Sequence, residues 1–244
     1  MIFIDAREGV SADMLLAAMI GLVGEGRRGD IVNGLASAGG VVGLSVHLEK
    51  TEEVDERGLA ISYSGERPET HRRTLGEVRE ILAEMHSAQS VEWPSSCDID
   101  IATELFRAEA TAHSSTIEEV HLHEAGRPSG LLNIFGIGLV HGVLKAQGAG
   151  DFECSTITTG KGIVVIGHGA VRVPTPASAE LLKGLMHTPG SDPGERATPT
   201  GLAAIRAMVS RQSDQAPVSH ISKSIGYGTR RFGGRLGKVA MYLS

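Results

Sequence analysis

Glu118-Glu119-Val120-His121-Leu122-His123-Glu124-Ala125-Gly126 is the stretch around which this chain is organised. Within seven residues it holds two histidines and three carboxylates. It follows a predicted helix, residues 99–113, that carries Glu109 and His113. No other segment of the sequence is so dense in side chains that can bind a metal ion. We therefore interpret most of the remaining sequence as a scaffold for this stretch or as a second binding surface.

The spacing of these side chains predicts a divalent-metal site. Alternate residues of an extended segment face the same side, which places His121 and His123 together. Residues four apart on a helix also share a face. Imidazoles and carboxylates that converge in this way suit a divalent cation. The predicted metal ligands are Glu109, His113, His121, His123 and Glu124. A cluster of surface acids and structural histidines remains the alternative.

The composition excludes several functional classes. The 244 residues are 41% hydrophobic, which is enough for a buried core, and the net charge is −6. An acidic chain without a long basic run is a poor partner for nucleic acid. Two cysteines, Cys97 and Cys154, form neither a disulfide framework nor a zinc site. We find no signal peptide and no apolar run of membrane-spanning length, so we expect a cytoplasmic protein without a membrane partner.

The predicted elements favour an α+β fold with mixed α/β layers, in which helices pack on a mixed β-sheet. Strands are predicted at 2–5, 44–48, 59–63, 152–158, 163–166, 218–225 and 238–243. Helices are predicted at 12–22, 31–38, 74–85, 99–113, 130–144, 177–185 and 199–209. Residues 49–57 are predicted to form a solvated hairpin or loop, residues 188–197 are predicted to form a mobile loop, and Gly226-Tyr227-Gly228 is a predicted turn. Two lobes, 1–148 and 149–244, remain an alternative to a single unit.

Two predicted helix starts could bind an anion. Ser11 is a good N-cap after the strand that ends at Asp5, and Asp13 lies in the first turn. Free amides at such a start attract anions, although Asp5 and Asp13 could instead hold Mg²⁺. Thr198 and Thr200 offer hydroxyls at a second helix start. Ordinary capping is the alternative at both.

Two further segments are weaker candidates for ligand contact. His168 lies between two glycines, where the backbone can approach a ligand, although a lone histidine is more often structural. Arg230 follows the predicted turn at 226–228 and can bind an anion through two hydrogen bonds.

Five blocks in order along the chain resemble the LarC family of nickel insertion proteins. Phe3-Ile4-Asp5 with Gly9-Val10-Ser11-Ala12-Asp13-Met14 resembles its FD…GISGDM signature. Ala108-Glu109-Ala110 to His113, with Glu119 to Gly126, resembles AEA…H…EEVHFHEVG. The other blocks are His168-Gly169 with Val173 to Ala177, Glu195 with Thr198 to Gly201, and Ile225 to Gly228. Together these blocks are distributed nearly from end to end of the chain.

The resemblance implies CTP-dependent insertion of Ni²⁺ into pyridinium-3,5-bisthiocarboxylic acid mononucleotide, a cyclometallation that gives a nickel-pincer cofactor. This is lyase-type chemistry, with Mg²⁺ or Mn²⁺ accompanying CTP. Asp13 and Glu124 would be catalytic, and the five predicted ligands would hold the metal. Contacts to the phosphorylated ligand would come from Ser11, His168, Thr198, Thr200 and Arg230.

Departures from the family pattern leave enzymatic activity open. Ser129 and Asn133 stand where the family has aspartates, Ala6 replaces a cysteine, and Ala12 replaces a glycine. Fewer carboxylates weaken or retune a metal site, so a diverged, non-catalytic metal- or ligand-binding homologue is the alternative function. The typical C-terminal domain, with its nucleotide-binding and oligomer-forming functions, is expected to be absent here and to act as a separate partner. Homo-oligomerisation stays open.

Overall fold

The computed structural model describes residues 1–54, 56–66, 72–94, 96–166 and 169–244, and the side chain of residue 166 is also outside the description. The helices of these residues are α1 (Ala12–Leu22), α2 (Glu25–Val41), α3 (Leu75–Ser87), α4 (Asp98–His113), α5 (Pro128–Ala146), α6 (Pro176–Leu181) and α7 (Pro199–Met208). The strands are β1 (Ile2–Asp5), β2 (Ser45–Glu53), β3 (Glu56–Ser64), β4 (Phe152–Cys154), β5 (Ile157–Thr158), β6 (Gly160–Lys161), β7 (Ile163–Ile166), β8 (Gly169–Arg172), β9 (His187–Thr188), β10 (Gly194–Glu195), β11 (Val209–Gln212), β12 (Ser222–Phe232) and β13 (Arg235–Leu243).

A seven-stranded mixed sheet is the base of the fold, in the order β11-β4-β1-β13-β12-β3-β2. Strand β1 runs parallel to β4 and antiparallel to β13. Strand β12 runs antiparallel to β13 and parallel to β3. Strands from before and after residue 148 therefore lie in the same sheet. The predicted α+β class with a mixed sheet and packed helices is confirmed.

Helix α1 lies between the sheet and the other helices. Nine of its eleven residues are buried, because it contacts β3, β12 and β13 on one side and α5 on the other. A helix covered on both sides is apolar at nearly every position instead of along one stripe. Its predicted bounds, residues 12–22, are confirmed.

Helix α5 is the most apolar long helix of the described residues. Its length and mean hydropathy satisfy the criteria for a membrane span, but 67% of the apolar window is buried inside the protein. It packs against α1, α2, α4 and α7. Burial of this kind is the pattern of a helix in the core of a folded domain.

The sequence prediction was wrong about the extent of α2 and of the β2–β3 hairpin. Helix α2 continues through Gly39 and Gly40, where a stop was predicted. Gly39 packs so tightly that a Cβ there would be 2.7 Å from the carbonyl oxygen of Leu44, so packing overrides helix propensity. Of the two alternatives predicted for residues 49–57, hairpin or loop, the structure has the hairpin, with longer paired strands than predicted. Glu52, Glu53 and Glu56 of this stretch form ion pairs, as in the 2.8 Å contact between Arg231 Nη2 and Glu53 Oε1.

Three smaller predictions also need correction. Gly226-Tyr227-Gly228 is not a turn but part of β12, because its glycines make room for α1. Helix α6 ends at Leu181 instead of Leu185. The predicted mobile loop 188–197 contains β10, which pairs with β6.

Candidate functional site

A cleft of about 560 Å³ opens where the N-termini of α1, α5, α6 and α7 meet the C-terminal end of α4. Strands β12 and β13 close one side. Nine of the eleven site residues predicted from the sequence line this cleft. They are Ser11, Asp13, Glu109, His113, His123, Glu124, Thr198, Thr200 and Arg230.

Backbone hydrogen bonds hold the starts of α1 and α7 side by side. The Val10 N–H donates to the carbonyl of Arg196 at 2.8 Å, and the Thr198 N–H donates to the carbonyl of Val10 at 2.9 Å. Gly201 is required here, because a Cβ at this position would be 2.7 Å from the Val10 carbonyl oxygen. Two helix N-termini therefore share one wall of the cleft, and their dipoles favour an anion there.

The two N-cap residues behave differently. Thr198 caps α7 as predicted, with its hydroxyl accepting from the Gly201 N–H at 3.3 Å. Ser11 occupies the N-cap position of α1 without capping it, because its hydroxyl donates to the Asp13 carboxylate instead. The predicted capping bond of Ser11 is therefore wrong. The first backbone N–H groups of α1 therefore donate no hydrogen bond to the Ser11 side chain.

Carboxylates and histidines form another part of the cleft lining. Glu109 Oε2 lies 3.5 Å from His113 Nε2, as expected for residues four apart on α4. Burial raises the pKa of Glu109, and the charge of Glu124 raises it further, whereas His113 acts in the opposite direction. Glu109 and Glu124 both line the cleft, so two carboxylates are available there.

The segment after α4 places its two histidines, His121 and His123, in different surroundings. Leu122 forms an isolated bridge to Arg73, with hydrogen bonds of 2.9 and 3.2 Å, and is fully buried. His123 then bends into the cleft lining, whereas His121 is exposed and is not part of that lining. His121 instead lies near Glu77 of α3, where its charge helps to lower the pKa of that carboxyl after the larger effect of Thr74. His121 and His123 therefore do not share a face as predicted, because the extended segment does not continue beyond the bridge at Leu122.

The metal-capable side chains line the cleft without forming a ready-made metal centre. Within residues 1–54, 56–66, 72–94, 96–166 and 169–244, no group of three or more His, Cys, Asp or Glu side chains is arranged to hold a metal ion. Nickel bound here would therefore need side-chain movement, donors from another molecule, or both.

Comparison with known proteins decides the family of this chain. The family profile described as nickel insertion protein matches residues 2–242. The chain belongs to the nickel insertion protein family. This agrees with the resemblance seen in the sequence.

Two of the curated relatives compared with this chain are named for a specific substrate. A pyridinium-3,5-bisthiocarboxylic acid mononucleotide nickel insertion protein from Nocardioides sp. is 32% identical over 93% of this chain and 56% of its own length. One of the same name from Staphylococcus saprophyticus is 27% identical over 95% of this chain and 56% of its own length. A putative nickel insertion protein from Geotalea daltonii is 32% identical over 93% and 56%. The chain therefore spans about half the length of these relatives. No solved structure gives a significant match.

Ser129 and Asn133, which the sequence resemblance compares with aspartates, both reach the cleft and both have partners. The N–H and hydroxyl of Ser129 donate to Glu66 Oε1 at 3.1 and 2.8 Å. The hydroxyl of Tyr63 donates to Asn133 Oδ1 at 2.6 Å. Burial raises the pKa of Tyr63 well above 10, and Asp13 adds to this effect, so the phenol remains a donor. Through its two hydrogen bonds, the Glu66 carboxylate lies close to Ser129.

Glu195 is a cleft residue that the sequence prediction did not include in the site. Its side chain is only 7% exposed, and its Oε1 accepts hydrogen bonds from Thr175 Oγ1 at 2.9 Å and Ser178 Oγ at 3.2 Å. Burial raises its pKa, and the repulsion of Glu124 adds to this, while the two hydroxyls and Arg230 oppose it. A glutamate three residues before the helix cap Thr198 was the available signal, but burial of a two-residue strand cannot be read from periodicity.

Three arginines give the cleft positive charge. Arg127 and Arg230 are exposed in its lining, and neither forms an ion pair with any described residue. Arg196 is held in place, with Nη2 2.5 Å from Asp192 Oδ2 and its guanidinium 4.2 Å from the ring centre of Phe232. Arg127 and Arg230 are therefore the arginines available to an anionic ligand.

His168, a predicted contact to the phosphorylated ligand, lies outside the described residues.

Proposed function

We propose that this chain inserts nickel into pyridinium-3,5-bisthiocarboxylic acid mononucleotide, and that its cleft binds both substrates. The observation that carries the proposal is one cleft lined both by acids and histidines and by paired helix N-termini with two arginines that form no ion pair with a described residue. A ligand with a metal-binding end and a phosphate end needs both kinds of lining. Family membership and the names of the relatives support this assignment.

Nickel would enter at the carboxylates and histidines of the lining, which we call the metal wall. Glu109, His113, His123 and Glu124 supply carboxylate and imidazole donors, which suit a borderline divalent metal. Their lack of a closed cluster fits a metal that is handed on, because a complete protein cage would hold its ion. The thiocarboxylate sulfurs of the substrate would then complete the coordination. His121 remains a predicted fifth ligand and would have to turn away from Glu77 to reach the cleft.

The phosphate of the mononucleotide would bind at the paired helix N-termini. Ser11, Thr198 and Thr200 lie at the start of α1 and α7, and Arg230 adds a full positive charge. Amides at helix N-termini and arginine are typical phosphate contacts. Asp13, in the first turn of α1, would orient the ligand together with Glu124 and serve with it as a catalytic carboxylate.

CTP dependence belongs to the same proposal. We expect a separate partner, equivalent to the further length of the relatives, to bind CTP with Mg²⁺ or Mn²⁺. The reaction would then join two chains that act in sequence on the same ligand. The protein is expected to be cytoplasmic.

A non-catalytic homologue that binds metal or ligand is the second candidate. The observation in its favour is that Ser129 and Asn133 replace carboxylates in the cleft and already have hydrogen-bond partners. A cleft with fewer acids binds a divalent ion less strongly.

Calorimetric titration with Ni²⁺ tests the binding half of the proposal. We expect H123A and E124A each to weaken nickel binding by at least about tenfold, or about 1.4 kcal/mol. H187A is the matched control, since it removes an exposed histidine outside the cleft lining that is not a proposed metal ligand. Equal affinities for wild type, H123A and E124A would refute the proposed metal wall.

A transfer assay separates the two candidate functions. The chain is mixed with Ni²⁺, CTP, the mononucleotide and the C-terminal part of a curated relative, and the metallated product is followed by mass spectrometry. Product above the level of the C-terminal part alone supports insertion. Tight binding of both substrates without product supports the non-catalytic homologue.

A further inference from the structure

One carboxylate oxygen of Glu195 accepts two hydrogen bonds, and the other accepts none from a described residue. Both hydroxyl bonds, from Thr175 and Ser178, end on Oε1. No described residue donates to Oε2, and this atom is not among the buried unpaired atoms, so it is open to the cleft. A carboxylate fixed through one oxygen presents the other in a defined direction.

The position of Glu195 is set by tight backbone packing. Strand β10 pairs with β6, with Glu195 opposite Gly160. Gly160 has a positive φ of 86°, and a Cβ there would be 2.0 Å from the Gly194 carbonyl oxygen. Glu195 lines the same cleft as Glu124, a proposed metal ligand, and Arg230, a proposed phosphate contact.

The substrate named for the relatives needs a proton acceptor at this location. Thiocarboxylates at ring positions 3 and 5 flank carbon 4, so a nickel ion held by both sulfurs faces the hydrogen on that carbon. Insertion of the metal between the two groups requires this hydrogen to leave. A base in the same cleft as the metal ligands and the phosphate contacts would meet the ring of a ligand that binds both.

Resting on the function proposed above, we propose that Glu195 Oε2 accepts the proton from ring carbon 4 as nickel is inserted. The carbon–hydrogen bond breaks, its electron pair forms the nickel–carbon bond, and the proton moves to the Glu195 carboxylate. Nickel stays divalent, so no oxidant or reductant is required. Thr175 and Ser178 hold the carboxyl in place during the transfer, and release of the proton to water restores the base.

The other cleft carboxylates are less suited to this step. Asp13 accepts a hydrogen bond from Ser11, and Glu109 is paired with His113. Glu124 is a proposed metal ligand, whose lone pairs would be directed to the ion. The raised pKa of Glu195 agrees with the role, because a more basic carboxylate takes a proton more readily.

Loss of deuterium from ligand labelled at ring carbon 4 tests the proposal. The full chain is incubated with Ni²⁺, CTP, labelled mononucleotide and the C-terminal part of a curated relative, and mass spectrometry follows the label. E195Q keeps the hydrogen-bond acceptor for Thr175 and Ser178 but removes the base. E195D restores a carboxylate at a shorter reach. E153Q is the matched control, because Glu153 is also buried, at 6% exposed, and lies outside the cleft lining.

We expect E195Q to bind Ni²⁺ and ligand within about threefold of wild type and to lose the label at least about 100-fold more slowly. E195D should recover part of the rate, and E153Q should match wild type. Label loss by E195Q at the wild-type rate would overturn the proposal. The proposal would also be overturned if the wild-type chain bound both substrates but kept the label. The proposed binding function would then remain intact. Failure to bind either substrate would instead refute the proposed function, and this inference with it.

Discussion

Gly226 of β12 lies against α1 so closely that a Cβ on it would be 1.9 Å from the carbonyl oxygen of Met14. Two residues along the strand, a Cβ on Gly228 would be 3.1 Å from Met14 Cγ and 3.5 Å from Asp13 Oδ2. The first turn of α1, which carries Ser11 and Asp13 into the cleft, therefore rests directly on the sheet. The position of this wall of the cleft is fixed by the absence of side chains on the strand.

G226A should destabilise the protein by about 1–3 kcal/mol or more, because the new methyl group meets backbone that cannot move away. Urea unfolding followed by circular dichroism measures the change. G29A is the control, since Gly29 is an exposed residue inside α2 with no atom within 4 Å of a new Cβ. It should stabilise by about 0.5–1 kcal/mol. Equal midpoints for G226A and wild type would mean that α1 does not pack as described.

E195Q should stabilise the folded protein at neutral pH. The ordinary pKa of 4.5 applies in the unfolded chain, and burial raises the pKa in the folded state. The folded state therefore binds this proton more tightly, and ionisation of Glu195 costs stability as pH rises from about 4.5 through the folded pKa. The melting temperature of E195Q should exceed that of wild type at pH 7–8, and the difference should shrink toward pH 4. A difference that grows as the pH falls would contradict this account.

R230A should weaken binding of the phosphorylated ligand by about tenfold or more, since a hydrogen bond to a charged group contributes about 1.5–3 kcal/mol. The loss should be smaller at 0.5 M salt than at 0.05 M, because Arg230 is exposed and its charge is screened. R79A, which removes an exposed arginine of α3 outside the cleft lining, should bind as wild type. Equal losses in both variants would point to net charge instead of a local contact.

N133D should increase the affinity for Ni²⁺ about fivefold, from roughly 1 kcal/mol of added attraction. The new carboxylate keeps an acceptor for the Tyr63 hydroxyl and adds a negative charge to the cleft lining. S129D should not give this gain, because its carboxylate would face Glu66, which already bonds Ser129. Calorimetry on both variants measures the difference. An unchanged affinity in N133D would show that the metal wall does not extend to the start of α5.

Much of the fold could be predicted because its periodic elements are governed by local physics. The bounds of β1 and α1 follow from an apolar run with an acid at its end and a capping residue after it. Strand β12 was misread at its glycines for the opposite reason. Glycines are typical of turns, but here they permit a helix to approach the strand, and that helix is about 200 residues away in sequence.

The candidate site was predicted in large part, and the errors have a common cause. Residues four apart on α4 met as expected, because a helix preserves its spacing. His121 and His123 did not share a face, because the extended segment holds one bridge, at Leu122, and then bends. Glu195 was missed because the three residues that shape its environment, Thr175, Ser178 and Gly160, are brought to it by tertiary packing alone.

The pairing of β1 with β13 has a consequence for how the protein folds. Ile2 pairs with Leu243, and β1 otherwise contacts only β4 within the sheet. The centre of the sheet therefore joins segments at opposite ends of the sequence, which entails a large loop-closure entropy. We expect slow refolding from denaturant compared with a helical protein of this size. Until β13 arrives, α1 lacks part of the surface that buries it, so an incompletely synthesised chain would expose that apolar helix to chaperones and to aggregation.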